Sequence, residues 1–313
     1  MSQYKKKIVL PGGAGLVGQN LIVRLLAQGY GDIVVLDKHR ANLDILRKVH
    51  PKVTAEFADL SVEGDWRRHI EEADVVVMLQ AQIGGNDRSA FERNNLDSTR
   101  RILDAMRGRD IHVVHISSSV VASVVHDYYS DTKREQERVM LDSGMRCITL
   151  RPTLMFGWFD RKHLGWLSRF MRKSPIFPIP GNGQFVRQPL YVGDFCSIIM
   201  SCIGRDMAGG VYDISGLTKM YYLDIIRDIR QVIGAHTAIV RIPYRVFQML
   251  LWTWALVDRD PPFTTQQLAA LIAPDEFKVI DWPAIFDVAP TPFAAAIAET
   301  FNDPRFGNIV LEF

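Results

Sequence analysis

Three glycines near the N-terminus constrain the fold of this 313-residue chain more than any other feature. They form Gly13-x-Gly15-x-x-Gly18, which follows a short apolar run (Ile8–Leu10) and opens a helical pattern (Leu16–Gln28). Glycines at this spacing allow a tight strand-to-helix turn and let backbone N–H groups approach a pyrophosphate at the helix N-terminus. The alternative is a glycine-rich turn without a ligand, so other residues must decide between the two.

The first half of the chain alternates short β-branched runs with amphipathic helical stretches, which predicts a parallel sheet covered by helices. With right-handed crossovers this becomes an α/β fold, a Rossmann-type doubly wound parallel sheet with ligands at the carboxyl ends of its strands. The predicted strands are Ile8–Leu10, Ile33–Leu36, Val53–Phe57, Val75–Leu79, Val113–Ile116 and Ile148–Leu150, and the predicted helices are Leu16–Gln28, Leu43–Val49, Phe91–Met106 and Tyr129–Asp142.

The regular alternation ends after Arg151-Pro152, where prolines, tryptophans and a Gly181-Asn182-Gly183 turn interrupt it. Strand-like runs return at 190–192 and 210–214, and the tail from Thr218 is mostly helical in pattern. We therefore predict an NAD-binding Rossmann domain formed by residues 1–155 and 187–215. A smaller, mostly helical C-terminal substrate lobe is predicted for residues 156–186 and 216–313.

Composition excludes several classes of protein. Hydrophobic residues make up 48% of the chain and charged residues 23%, which is enough for a large core and argues against global disorder. The formal charge of +2 is too small to indicate a nucleic-acid binder. Three cysteines without a Cys-x-x-Cys pair predict reduced thiols and a cytoplasmic protein, and no His, Asp, Glu or Cys cluster has metal-ligand spacing.

Asp37 strengthens the dinucleotide interpretation. It follows the second predicted strand, where a carboxylate accepts hydrogen bonds from the adenosine ribose hydroxyls and repels a 2′-phosphate. This favours NAD over NADP, although Lys38 and Arg40 could soften the repulsion. Asp59-Leu60, after the third predicted strand, is placed to meet the adenine, but an Asp in such a loop is also a common helix cap.

Tyr129 and Lys133 are four residues apart on a predicted helix and therefore share one face. A nearby ammonium favours a phenolate and is expected to lower the pKa of Tyr129 from its usual value of about 10. A general acid/base for a carbinol needs such a phenol. Ser117-Ser118-Ser119 ends the fifth predicted strand, where a hydroxyl could orient a substrate oxygen beside Tyr129.

Together these residues resemble the extended short-chain dehydrogenase/reductase family of NAD-dependent sugar epimerases and dehydratases, over nearly the whole chain. The resemblance implies that Ser119 joins Tyr129 and Lys133 as the catalytic set, and that Ser119, Arg187 and Tyr191 contact the substrate. The implied NAD-binding residues are Gly12, Gly13, Gly15, Leu16, Val17, Gly18, Asp37, Asp59, Leu60, Gln80, Ala81, Gln82, Asn95, Ser117, Tyr129, Lys133, Arg151 and Pro152. Within the family, the chain is most similar to polyprenyl-diphosphate-sugar epimerases and to the nucleotide-binding subunit of respiratory complex I.

Three departures from the family pattern affect the expected chemistry. The segment from Ser119 to Tyr129 is shorter than usual, and Gln80-Ala81-Gln82 replaces a pair of alanines. Val120 and Val121 follow Ser119, where dehydratases of the family carry an acidic pair. The valines argue against dehydration and against decarboxylation.

Two segments bear on the substrate and on the location of the protein. Residues 159–173 mix basic and aromatic side chains which, together with Arg187, could receive a diphosphate. Residues 246–257 are almost entirely apolar and predict either a buried helix, as their short length favours, or an anchor at the inner face of a membrane.

The predicted function is an NAD-dependent epimerase that acts on a sugar-nucleotide or lipid-linked sugar through a transient keto sugar. The alternatives are a net NAD(P)-dependent oxidoreductase and a non-catalytic nucleotide-binding subunit. The resemblance also implies a homodimer through the helices at 91–106 and 129–142.

Overall fold

The centre of the computed structural model is a parallel sheet of seven strands. The structure describes residues 5–123, 126–257, 268 and 277–312, and of residues 254–257 it describes the backbone alone. The strands are β1 (Ile8–Pro11), β2 (Ile33–Asp37), β3 (Thr54–Phe57), β4 (Val75–Met78), β5 (His112–Ile116), β6 (Cys147–Pro152), β7 (Met155–Phe156), β8 (Ile176–Pro180), β9 (Val186–Arg187), β10 (Leu190–Tyr191), β11 (Val211–Ile214), β12 (Met220–Tyr221) and β13 (Ala238–Ile242). The central sheet has the order β11-β6-β5-β4-β1-β2-β3, so the carboxyl ends of its strands lie at one edge. The predicted Rossmann-type fold is confirmed.

Helices connect these strands. They are α1 (Leu16–Ala27), α2 (Arg40–Val49), α3 (Arg67–Glu71), α4 (Arg88–Phe91), α5 (Ser98–Met106), α6 (Tyr128–Asp142), α7 (His163–Lys173), α8 (Val192–Gly204), α9 (Tyr222–Val232), α10 (Tyr244–Val257), α11 (Trp282–Phe286) and α12 (Phe293–Asn302). The prediction of one helix over 91–106 was incomplete, because a π-helical turn (Glu92–Asp97) separates α4 from α5. A 3₁₀ turn, Ser119–Ala122, follows β5.

The central sheet is covered on both faces, which explains why its strands are apolar at consecutive positions. Along β1, Ile8 and Leu10 pack into one buried cluster and Val9 packs into another on the opposite face. The same division recurs in β4, where Val75 and Val77 belong to the first cluster and Val76 to the second.

The three cysteines are free, as predicted. Burial raises the pKa of the Cys147 thiol to about 11 and that of Cys196 to about 12. Burial also raises the pKa of Cys202 to about 12. All three therefore remain protonated thiols at neutral pH.

The remaining strands form three pairs outside the central sheet: β7 with β10, β8 with β13, and β9 with β12. Arg24 of α1 links this part of the chain to the first half. Its guanidinium donates to the Tyr191 hydroxyl at 3.0 Å and to Glu299 Oε1 at 2.9 Å, and it lies over the Trp158 ring at 4.6 Å. No helix within the described part of the chain is long and apolar enough to cross a bilayer.

Candidate active site

The glycines after β1 are required for different structural reasons. Gly12 has a φ of +76°, and a Cβ there would lie 2.5 Å from the Gln80 backbone. A Cβ on Gly18 would lie 2.2 Å from the Gly13 carbonyl oxygen. Gly15 is the exception, because the nearest atom to a Cβ there is the Gly12 oxygen at 3.5 Å. Gly12 and Gly18 are thus fixed by protein packing, whereas Gly15 keeps open a space that a side chain would fill.

That space lies at the N-terminus of α1. Gly15 is the N-cap residue, with extended backbone and no side-chain cap, and the helix continues through Leu16 and Val17. The first N–H groups of a helix have no intrahelical partner and carry partial positive charge. The cradle therefore fits a pyrophosphate, as the glycine spacing predicts.

Asp37 ends β2 beside this cradle. Its carboxylate accepts hydrogen bonds from the backbone N–H of Ala14 at 3.0 Å and of His39 at 2.9 Å. Burial raises its pKa, and these hydrogen bonds oppose the rise. The basic side chains that follow it have other partners: Lys38 donates to Asn94, and Arg40 lies over the Phe57 ring at 3.9 Å.

Asp59 and Leu60 lie at the end of β3, next to β2. Asp59 Oδ1 accepts from the N–H of Ser61 at 2.9 Å and from its hydroxyl at 2.6 Å. Burial acts to raise the pKa of Asp59, but the Ser61 hydrogen bonds outweigh it and the net shift is downward. Asp59 thus closes a turn onto Ser61 and does not cap α3, whose N-cap residue is Trp66, and Leu60 is buried beside it.

Asn95 in the π-helical turn fixes the chain after β4. Its side chain accepts from the Gln82 N–H at 2.7 Å and donates to Thr132 Oγ1 at 2.9 Å. Gln80 is buried and donates to Thr99 Oγ1 at 3.3 Å. Ala81, between the two glutamines, is exposed. The extra bulk of Gln80-Ala81-Gln82 is thus held by contacts to the π-helical turn and α5.

Lys133 lies in the centre of a buried polar network. It is 1% exposed, and its Nζ donates to the Ile116 carbonyl at 3.0 Å and to Gln136 Oε1 at 2.6 Å. Gln136 in turn donates to Thr99 Oγ1 at 2.9 Å. Burial lowers the pKa of Lys133 to about 7, with Glu137 opposing. The amine is therefore partly neutral near pH 7.

Tyr129 shares the face of α6 with Lys133, as predicted, but its ionisation differs from the expectation. Burial raises its pKa, and a side-chain hydrogen bond with Ser118 opposes the rise. The expected lowering by Lys133 is wrong for this structure. The physical reason is that the Lys133 amine is desolvated and bonded to Ile116 and Gln136.

The structure separates the three serines after β5. Ser117 donates to Glu137 Oε2 at 2.6 Å, and Ser119 is the first residue of the 3₁₀ turn. Ser118 caps this turn by accepting from the Val120 N–H at 3.4 Å, and its side chain acts to lower the pKa of Tyr129. Ser119, the serine that the resemblance implies for catalysis, therefore has Ser118 as a second candidate beside it.

Glu137 is a residue that the sequence interpretation missed. It is buried and accepts from Arg151 Nε at 3.0 Å as well as from Ser117, and thereby joins α6 to the ends of β5 and β6. The sequence signal that could have identified Glu137 is its spacing, since it lies four residues after Lys133 on the same helical face.

Pro152, which the resemblance also implied at the site, ends β6 beside Ile214.

The two residues expected on the substrate side have different surroundings. Arg187, on β9, is half-buried and close enough to Tyr222 to oppose the rise in the pKa of that buried phenol. Tyr191 is buried, and its hydroxyl accepts from Arg24. This favours a packing role for Tyr191 over the substrate contact that the resemblance implied. Among the described residues, no group of His, Cys, Asp and Glu could hold a metal ion.

This fold, with its glycine cradle, Asp37 and the Tyr129/Lys133 helix, defines a dinucleotide-binding α/β protein. The model of the NAD dependent epimerase/dehydratase family matches residues 8–215, and the chain belongs to that family. The prediction of an NAD-dependent enzyme of the extended short-chain dehydrogenase type is confirmed at the level of the family.

Individual relatives are distant. The low-salt glycan biosynthesis protein Agl12 of Haloferax volcanii is 27% identical over 72% of this chain and 82% of its own length. NADH dehydrogenase [ubiquinone] 1 alpha subcomplex subunit 9 of Dictyostelium discoideum is 23% identical over 69% of this chain and 62% of its own. The crystal structure of UDP-glucuronic acid 4-epimerase from Bacillus cereus, in complex with NAD, is 21% identical with a TM-score of 0.65, covering 75% of this chain and 88% of that one.

Proposed function

We propose that this protein is an NAD-dependent epimerase of a sugar carried on a nucleoside diphosphate or a polyprenyl diphosphate, with Tyr129 as its acid/base. The observation that carries the proposal is the position of Tyr129 and Lys133 on one face of α6, with Lys133 Nζ donating to the Ile116 carbonyl at the carboxyl end of β5 at 3.0 Å. The Gly15 cradle follows β1 at the same edge of the sheet, where this class of fold binds its ligands. This common edge supports a shared site for the phenol and the dinucleotide.

NAD fits the groove better than NADP. Asp37 is placed to accept the ribose hydroxyls, while Lys38 and Arg40 are engaged by Asn94 and Phe57. The 2′-phosphate of NADP would face the Asp37 carboxylate, while the neighbouring Lys38 and Arg40 are engaged with other partners. Gly15, Leu16 and Val17 would hold the pyrophosphate, and Lys133 lies where the nicotinamide ribose would approach α6.

Tyr129 would take the proton from a sugar hydroxyl while the hydrogen on the same carbon leaves as hydride, giving a keto sugar. NAD, when bound, accepts and returns that hydride, and its positive ring favours the phenolate. After the keto sugar turns over in the groove, the carbon regains hydride on its other face and Tyr129 returns the proton to the oxygen. Ser118 would hold that oxygen by its hydroxyl.

The loop after β5 is suited to epimerisation without loss of water. The 3₁₀ turn carries Val120 and Val121, which offer no carboxylate to an elimination step. Arg187 is placed in the second half of the chain, where a forked guanidinium suits a diphosphate.

One observation favours a second candidate, a nucleotide-binding subunit without turnover. The Lys133 amine is bonded to Gln136 and Ile116, and the pKa of Tyr129 is raised. An enzyme must break the Lys133 hydrogen bonds and lower the pKa of Tyr129 when it binds its cofactor, whereas a subunit without turnover need do neither.

The first test identifies any nucleotide released by denaturing the purified protein, then supplies NAD and a panel of UDP-sugars in D₂O. The proposal expects a new epimer with no net NADH and no deuterium at the inverted carbon, because the hydride is returned within the groove. We expect Tyr129→Phe to lose roughly 10²–10⁴-fold in kcat while NAD still binds.

Ser118→Ala and Ser119→Ala form a matched pair, and the larger loss of kcat identifies the serine that assists Tyr129. Net consumption of NADH with a keto substrate would identify an oxidoreductase instead. Tight NAD binding with no product from nucleotide-linked or polyprenyl-linked sugars would favour the subunit.

A further inference from the structure

Helix α10 has a buried side and an exposed apolar side. Phe247 and Leu251 are buried in a small cluster with Leu268, separate from the main core. On the outer side, Met249 is 57% exposed and Trp252 61% exposed. The apolar segment that was predicted to form a buried helix is thus buried on one side only.

The exposed side also carries positive charge. Arg245, Met249 and Trp252 are spaced four and three residues apart, so they share one face of the helix, and all three are exposed. Arg241 is exposed on β13, which leads directly into α10. Val246 and Leu250 extend the apolar surface beside them.

The neighbouring strands continue this surface. β13 pairs in parallel with β8, with Ala238 opposite Ile176 and Val240 opposite Pro178. Because side chains alternate along strands, Ile176 and Val240 point to the same face. Both are exposed, at 51% and 40%. The strands β8 and β13 and the helix α10 thus each expose apolar side chains.

The segments around this surface are rich in basic residues. Residues 161–193 and 229–257, which supply α7, β8, β13 and α10, contain nine Lys and Arg residues. Of these, Arg241 is exposed on the strand that leads into the helix and Arg245 is exposed at the start of the helix. Two exposed arginines together with a protruding tryptophan, methionine and leucine are complementary to an anionic lipid headgroup layer.

We propose that the outer face of α10, with β8 and β13 beside it, docks this protein onto an anionic bilayer surface. The apolar side chains enter the headgroup boundary, and Arg241 and Arg245 pair with lipid phosphates. Docking by this face does not depend on the proposed epimerase activity, because none of these residues belongs to the nucleotide groove.

The test is co-sedimentation of the full-length protein with vesicles of phosphatidylcholine and phosphatidylglycerol in equal amounts, against phosphatidylcholine alone. We expect binding to the mixed vesicles that weakens as salt is added. The Met249→Ser/Trp252→Ser double variant should lower the partition coefficient about tenfold or more. Arg241→Glu/Arg245→Glu should remove the preference for the anionic lipid.

Val62→Ser and Arg107→Glu are matched controls, since both side chains are exposed elsewhere on the molecule, and they should bind as the parent does. Equal binding by all variants, or no binding, would overturn the proposal. A dimer in light scattering that the Met249/Trp252 variant converts to monomer would overturn it in favour of a second copy of the chain. NAD binding and turnover of soluble sugar nucleotides should be unchanged in every variant, which separates this result from the proposed function.

Discussion

The pyrophosphate end and the catalytic end of the candidate site differ in what sets their geometry. At the pyrophosphate end, glycines allow the backbone to approach, and Gly15 leaves open space where a side chain would otherwise stand. At the catalytic end, Lys133 is held by the Ile116 carbonyl of β5 and by Gln136 of α6, which is itself bonded to Thr99 of α5. The geometry of the pyrophosphate end is a local property of one turn, whereas the geometry of the catalytic end exists only when three elements have assembled.

The largest effect should come from breaking the assembled end. Glu137→Ala removes the acceptor of both Arg151 and Ser117 and should cost about 3 kcal/mol of unfolding free energy, because it breaks an ion pair whose carboxylate is buried and leaves Arg151 with the more exposed Asp213 at 3.5 Å. Denaturant unfolding measures this. Glu135→Ala, on the exposed side of the same helix, breaks the pair with Arg138 and should cost about 0.5 kcal/mol. Equal losses in the two variants would refute the idea that the buried network stabilises this end.

A smaller effect, on binding and not on stability, should follow a change at the cradle. Gly15→Val should weaken NAD affinity by on the order of 100-fold, about 2.7 kcal/mol, while unfolding stays near the parent value, because its side chain fills the ligand space. Isothermal titration with NAD measures the affinity. Gly31→Val is the matched control, since a Cβ there meets no atom within 4 Å. Gly18→Val should instead destabilise the fold, since its Cβ would overlap Gly13.

A third effect, which appears only as the pH is varied, is expected at the catalytic end. Lys133 has a pKa of about 7 in the folded chain and about 10.5 when unfolded, so between these values only the unfolded chain holds the extra proton. Its contribution to stability therefore rises with pH from about 7 to about 10, by at most about 1.4 kcal/mol per pH unit. The difference in unfolding free energy between parent and Lys133→Met should show this slope. A difference that is constant with pH would mean that Lys133 is charged in the folded protein.

The same contrast explains what the sequence could predict. The glycine turn, Asp37 and the alternation of strands and helices follow from local spacing and hydrophobic pattern, and the structure contains them. Which serine of the run assists Tyr129 does not follow from the run itself, because a single step along an extended segment turns the side chain to the other side. The surroundings of Lys133 could not be predicted, because Gln136, Thr99 and Ile116 meet it only through tertiary packing.

The raised pKa values of the three thiols have a practical consequence for all of these experiments. Cys147, Cys196 and Cys202 have raised pKa values and little thiolate at neutral pH, so maleimide reagents should leave the native protein unlabelled. A cysteine introduced at an exposed site such as Val62 or Trp252 then becomes a single reactive handle without removal of the natural ones. A fluorophore at Trp252 would report immersion in lipid, and one at Val62 would remain in water.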